Sequence, residues 1–151
     1  MTQATINTLA FSADCYTPIL LLLALVDVAR YWISGNKFYG LRLIFAAVVV
    51  YVWMYADHYF QLWARMGLDY STHTAAALVL VVIVSFDKRV PLKLLLASSL
   101  ISYGYLMYLL HYHSWADMLT TALVVSLSLF LLGWCKKYWV PSVQKEGNPC
   151  P

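Results

Sequence analysis

Residues 16–34 read YTPILLLLALVDVARYWIS, an apolar run broken only by Asp27 and Arg30 close to its end. About twenty apolar residues in a helix rising 1.5 Å per residue cross the roughly 30 Å hydrocarbon core of a bilayer. Backbone in lipid finds no water, so such a run must be a helix that satisfies its own N–H and C=O groups. Working outward, comparable runs occupy residues 40–57, 72–86, 91–111 and 115–134. The chain therefore reads as all-α, a polytopic membrane helical bundle of about five transmembrane helices. Residues 140–151, ending Gly-Asn-Pro-Cys-Pro, read as a disordered tail.

Composition points the same way. Of 151 residues, 62% are hydrophobic and 11% charged, against roughly a quarter charged in a soluble domain. Once the runs are assigned to lipid, too little chain remains for a second domain, so residues 1–151 count as one membrane domain. The net charge of +3 is too small to point to nucleic acid. Cys15, Cys135 and Cys150 show neither metal-ligand spacing nor a disulfide framework. No Lys or Arg precedes the first run, which lacks the basic region of a signal peptide and reads as a retained helix.

Basic residues alternate loop by loop. Arg30, Lys37 and Arg42 flank the first loop, Lys88, Arg89 and Lys93 the third, and Lys136, Lys137 and Lys145 follow the last run. The second loop has only Arg65, and the fourth loop and the N-terminal segment have none. The positive-inside rule then sets the N-terminus outside and the C-terminus in the cytoplasm, and an odd number of spans, which puts the termini on opposite sides, agrees with that. The expected location is a bacterial inner membrane or another plasma membrane. Tyr31 and Trp32, Tyr59 and Trp63, Tyr112 and Trp115, and Trp134 and Tyr138 sit near run ends, as interfacial aromatic belts do. Asp27 and Arg30, three apart, can pair on one helix face.

The outward side gathers the unusual residues. Asp57, His58, Arg65, Asp69 and His73 lie in or beside the second loop, and His111, His113 and Asp117 in or beside the fourth. All four histidines thus fall on one face. Ionisable groups at membrane depth are costly and mark functional cavities. His113 and Asp117 are four apart, so on a helical turn the carboxylate can hold one ring nitrogen and free the other for attack. His73, preceded by Ser71 and Thr72, opens the third run, where free backbone N–H groups favour an anion. Arg65 supplies a guanidinium fork that matches phosphate oxygens.

The string Gly67-Leu68-Asp69-Tyr70-Ser71-Thr72-His73-Thr74 resembles the Ser-Gly-His-Thr motif of type 2 phosphatidic acid phosphatases. It is also similar to the Gly-Asp…Ser-Gly-His-Thr stretch of sphingomyelin synthases. His113-Ser114-Trp115-Ala116-Asp117-Met118 resembles their His-x-x-x-Asp motif, and two runs with a basic loop separate the motifs, as in that superfamily. The first motif, Lys-x6-Arg-Pro, is matched only by His58 and Arg65. The resemblance covers residues from Asp57 to the end of the fifth run. It implies a six-helix membrane bundle, whose first helix has no counterpart here, and metal-free phosphoryl transfer without a cofactor. It further implies His113 as nucleophile forming a phosphohistidine, Asp117 orienting it, and His73 protonating the leaving oxygen. Arg65 and His58 would hold the phosphate, with Asp69, Ser71 and Thr72 beside it. The substrate would be a phosphorylated lipid entering from the outer leaflet, and the activity that of a phosphoric ester hydrolase or phosphotransferase. Three positions depart from the pattern: Thr72 replaces a Gly, Met107 stands where an Arg is carried, and His58 replaces a Lys. Each weakens a phosphate pocket.

Two other readings stay open. His58, His73, His111 and His113 with Asp57, Asp69 and Asp117 offer donors for zinc, another divalent ion or haem, although no His-x-x-x-His or Glu-x-x-His pair supports a metal site. Alternatively, the protein is a non-catalytic membrane subunit whose polar face binds a lipid headgroup or a partner helix. The sequence sets no oligomeric state.

Overall fold

A computed structural model describes residues 2–35 and 38–135. It contains five α-helices: α1 (Gln3–Ile33), α2 (Phe38–Phe60), α3 (Thr72–Ser85), α4 (Val90–Leu109) and α5 (Trp115–Cys135). A 3₁₀ turn, Ala64–Met66, lies in the connection between α2 and α3. The all-α expectation and the helix count therefore hold. By length and composition α1, α2 and α4 can cross a membrane, whereas α3 and α5 are apolar but shorter over the residues searched. Residues 140–151, expected to be disordered, lie outside the described residues, as do Lys37, Lys136, Lys137 and Lys145.

The first helix starts well ahead of the apolar run. Thr2 caps it, its hydroxyl accepting from the Thr5 N–H at 3.3 Å, and the helix continues for 31 residues, about 46 Å. The segment read as preceding the first span is thus helical, and it carries Ala13 into the core.

At the centre stands α3, which packs against all four other helices. Its buried set, Ala75, Ala77, Val79, Leu80, Val81, Ile83 and Val84, runs nearly all the way round. A helix apolar on every side is one that other helices enclose. Ala75 and Ala77 are fully buried, and side chains this small let neighbouring backbones approach closely. The outer four helices instead turn large apolar residues outward, Leu22, Phe45, Leu94 and Leu123 among them. An apolar belt of this extent would be an aggregation hazard in water and suits lipid.

Long-range contacts divide the bundle into two ends. At one, Lys88 binds Asp27, the Tyr39 hydroxyl donates to the Ile83 carbonyl at 2.8 Å, Tyr31 stacks on Tyr39 with centroids 4.6 Å apart, and the Arg42 guanidinium lies 4.0 Å above the Phe86 ring. The expected Asp27–Arg30 pair does not form, because Lys88 reaches the buried carboxylate from the loop after α3. The other end gathers the loop between α2 and α3 and the start of α5. Trp63, expected in an aromatic belt, is a core residue at 2% exposure; its indole N–H donates to Thr120 Oγ1 at 3.0 Å. Tyr59, Trp32, Tyr112 and Trp115 are exposed, as belt residues would be.

Candidate functional site

The connection from Gln61 to Ser71 is fixed residue by residue. Asp57, near the end of α2, accepts the Trp63 N–H at 2.8 Å. Gln61 and Gly67 take left-handed backbone, with φ of 51° and 70°. Beyond them the Tyr70 hydroxyl donates to the Val50 carbonyl at 3.2 Å. Burial, and then the nearby Asp57 charge, push the Tyr70 phenol up to about 12, so it keeps the proton it donates.

Two bonds then lay this loop on α5. The Asp69 N–H donates to Asp117 Oδ1 at 2.9 Å, and the Ser71 N–H donates to Thr121 Oγ1 at 3.1 Å. Ser71 and Thr121 are fully buried, so both ends of that bond are withdrawn from water. Buried polar groups that lack such partners are costly, which pins the register of the two segments.

Each motif is also a helix start. Ser71 is the N-cap of α3, its hydroxyl accepting the Thr74 N–H at 3.3 Å. Ser114 and Asp117 form a reciprocal capping box before α5. Asp117 Oδ2 accepts from the Ser114 N–H and hydroxyl, both at 2.8 Å, and the Asp117 N–H donates to Ser114 Oγ at 3.2 Å. That is the Ser-x-x-Asp signature of a helix N-terminus. Asp117 lies in the first turn of α5, where negative charge suits the helix dipole.

The carboxylate expected to hold His113 is therefore committed elsewhere. Asp117 makes no hydrogen bond to the His113 ring; its two oxygens take three other donors. His113 Nδ1 is buried and has no hydrogen-bond partner. Its nearest carboxylate is Asp69, whose Oδ2 lies 3.8 Å away, with the side chains 15% and 75% exposed respectively. His73 lies within electrostatic range of His113.

A pocket of about 350 Å³ opens beside them, lined by Asp69, Tyr108, His111, Tyr112, His113, Ser114 and Asp117. Its lining contains no Lys or Arg. Arg65 and His58 are exposed and outside this lining; the His58 ring contacts Tyr59 edge-on at 5.5 Å. Thr72 and His73 lie in the first turn of α3, outside the pocket wall. Thus Asp69, His113 and Asp117 come together, with His73 outside the wall but within electrostatic range of His113, while Arg65 and His58 do not join them. Among the described residues, no group of three or more His, Cys, Asp or Glu side chains is arranged to hold a metal ion.

Sequence reasoning missed three kinds of residue. Asp14, on the part of α1 read as a tail, interacts electrostatically with His73 and Tyr103; an acidic residue just ahead of an apolar run was the available signal. Tyr108 and Tyr112 wall the pocket, whereas by sequence Tyr112 reads as an interfacial aromatic and Tyr108 as part of an apolar run. Ser114 was legible through its capping spacing. No family model matches the sequence, and the comparisons with curated proteins and with solved structures found no match.

Proposed function

We propose that the protein is an integral-membrane lipid phosphatase or phosphotransferase, working through His113 and His73 on the non-cytoplasmic face of a plasma membrane. The observation that supports this best is the tie between the two motifs, made by the Asp69–Asp117 and Ser71–Thr121 bonds, which keeps His113 within electrostatic range of His73. The alternation of basic loops supports the orientation, and the apolar outer belt supports the bilayer setting.

In the reaction, one ring nitrogen of His113 attacks phosphorus, a P–N bond forms, and the P–O bond to the lipid alcohol breaks. His73 gives its proton to the departing oxygen. Water, or the hydroxyl of a second lipid, then attacks the phosphohistidine and surrenders its proton to His73, and His113 is restored. The first-turn N–H groups of α3, at Thr72 and His73, face no intrahelical acceptor and favour the phosphate charge. Arg65, the only cation of its loop, would supply further charge from outside the pocket lining.

One observation favours a second reading. A pocket lined by Asp69 and Asp117 with no Lys or Arg is a poor phosphate cradle, which suits a non-catalytic headgroup binder. A single experiment separates them: purified protein assayed on a panel of phospholipids and polyprenyl phosphates, with His73→Ala and His113→Ala alongside. A catalyst loses roughly 10²–10⁴-fold in turnover with either variant. Equal turnover by wild type and both variants removes the catalytic reading, and altered lipid binding without turnover selects the second.

A further inference from the structure

We propose that Asp69, and not Asp117, is the carboxylate that selects the tautomer of His113, and that Asp117 acts one step back by holding Asp69 in place. The consequence for catalysis rests on the phosphohistidine reading above; the pairing itself does not.

Three observations carry it. First, Asp117 is committed elsewhere and makes no hydrogen bond to the ring: Oδ1 takes the Asp69 N–H, and Oδ2 takes both the N–H and the hydroxyl of Ser114. Second, the inward nitrogen of His113, Nδ1, is buried without a hydrogen-bond partner, and a buried polar atom left in that state is costly unless something answers it. Third, the carboxylate that faces it belongs to Asp69, 3.8 Å from Nδ1. The Asp69 side chain is 75% exposed, so nothing packed around it prevents the small rotation that closes this gap to hydrogen-bond distance.

The geometry of attachment makes the assignment sharper. Asp69 is fixed by its backbone and free at its side chain. Its N–H is anchored on Asp117, and the next residue but one, Ser71, is anchored on Thr121. A carboxylate delivered in this way comes from the other motif's loop rather than from one turn along the same helix. An acceptor at Nδ1 keeps the proton there and leaves the lone pair on Nε2. Nε2 would then be the nitrogen that attacks phosphorus. His73 and Asp117 also interact electrostatically with His113, and His111 shares its pocket.

The test reads the tautomer directly and needs no substrate. The full chain, labelled with ¹⁵N-histidine in lipid nanodiscs, is studied by NMR in buffer alkaline enough to keep imidazole neutral. The His113 resonances are assigned by their loss in His113→Ala. Wild type and Asp69→Glu should show Nδ1–H as the major form. Asp69→Ala should reverse the ratio in favour of Nε2–H. This variant keeps the backbone N–H that Asp117 holds, so the loop anchor persists; undisturbed His58 and His73 resonances check it. An unchanged His113 tautomer in Asp69→Ala overturns the pairing. Turnover is scored separately: a tautomer switch in a protein that hydrolyses no lipid keeps the pairing and removes the phosphatase reading, and turnover without the switch does the reverse.

Discussion

Lys88 Nζ lies 2.9 Å from one oxygen of Asp27 and 3.0 Å from the other, tying the loop after α3 to the latter part of α1. The two partners are not equally placed: the Asp27 side chain is 8% exposed and that of Lys88 25%. Removing the lysine strands a buried carboxylate, whereas removing the carboxylate lets the lysine turn to water. Lys88→Met should therefore cost about 3 kcal/mol and Asp27→Asn about 1 kcal/mol. The double variant Asp27→Leu/Lys88→Met should return close to wild type, because a buried pair exchanged for apolar packing is often neutral. Thermal unfolding in detergent micelles reads all three, and a larger loss for Asp27→Asn than for Lys88→Met would contradict the asymmetry.

Asp117 should matter for stability more than any other residue of the site. Asp117→Ala removes the acceptor of three donors, and charge-assisted bonds of this kind contribute about 1.5–3 kcal/mol apiece without strict additivity. A loss of about 3 kcal/mol is expected. Ser71→Ala, which removes an N-cap, should cost about 1 kcal/mol. The same unfolding assay ranks them, and equal costs would show that the tie between the loops carries no weight.

Gln61 and His111 hold left-handed backbone at φ of 51° and 56°, each just past a helix end where glycine is favoured. The His111 and Tyr112 N–H groups bond back to the Tyr108 and Met107 carbonyls at 3.0 and 3.1 Å, so the conformation is enforced. Gln61→Gly and His111→Gly should each stabilise by about 0.5–1 kcal/mol, the relief of strain exceeding the added freedom of the unfolded chain. Gln61→Gly is the cleaner case, since His111 also lines the pocket. A lowered melting temperature for Gln61→Gly would refute this.

Orientation has its own test. Met66 and Arg89 are both exposed and lie on loops at opposite ends of α3. In intact cells, with native cysteines replaced, Met66→Cys should react with a membrane-impermeant thiol reagent. Arg89→Cys should react only after permeabilisation. The reverse pattern would place the histidines in the cytoplasm.

What the sequence made legible follows from which forces are local. Five apolar runs sufficed to place five helices, because length and hydropathy set a helix in lipid regardless of its partners. The early start of α1 was hidden because residues from Gln3 to Asp14 mix polar and apolar side chains with little pattern. The partner of Asp27 was hidden for a different reason. Helical spacing favours Arg30, but Lys88 arrives from 61 positions away, and only packing can reveal that. The Asp117 case is intermediate. Its four-residue spacing to His113 suggested one role, while its three-residue spacing to Ser114, equally plain in the sequence, described the bonds it makes. Both imidazoles could be assigned to one face from topology alone; the carboxylate that faces His113 could not.

With 14 residues, α3 is only about 21 Å long, well short of the roughly 30 Å of hydrocarbon that surrounds a membrane protein. Being enclosed by its neighbours, it meets little lipid, so the longer outer helices would set the lipid boundary and α3 would fall short of it. Between the longer helices, the loop leading to Ser71 and His73 would therefore sit below the lipid surface, and water would have to follow it inward to meet its polar backbone.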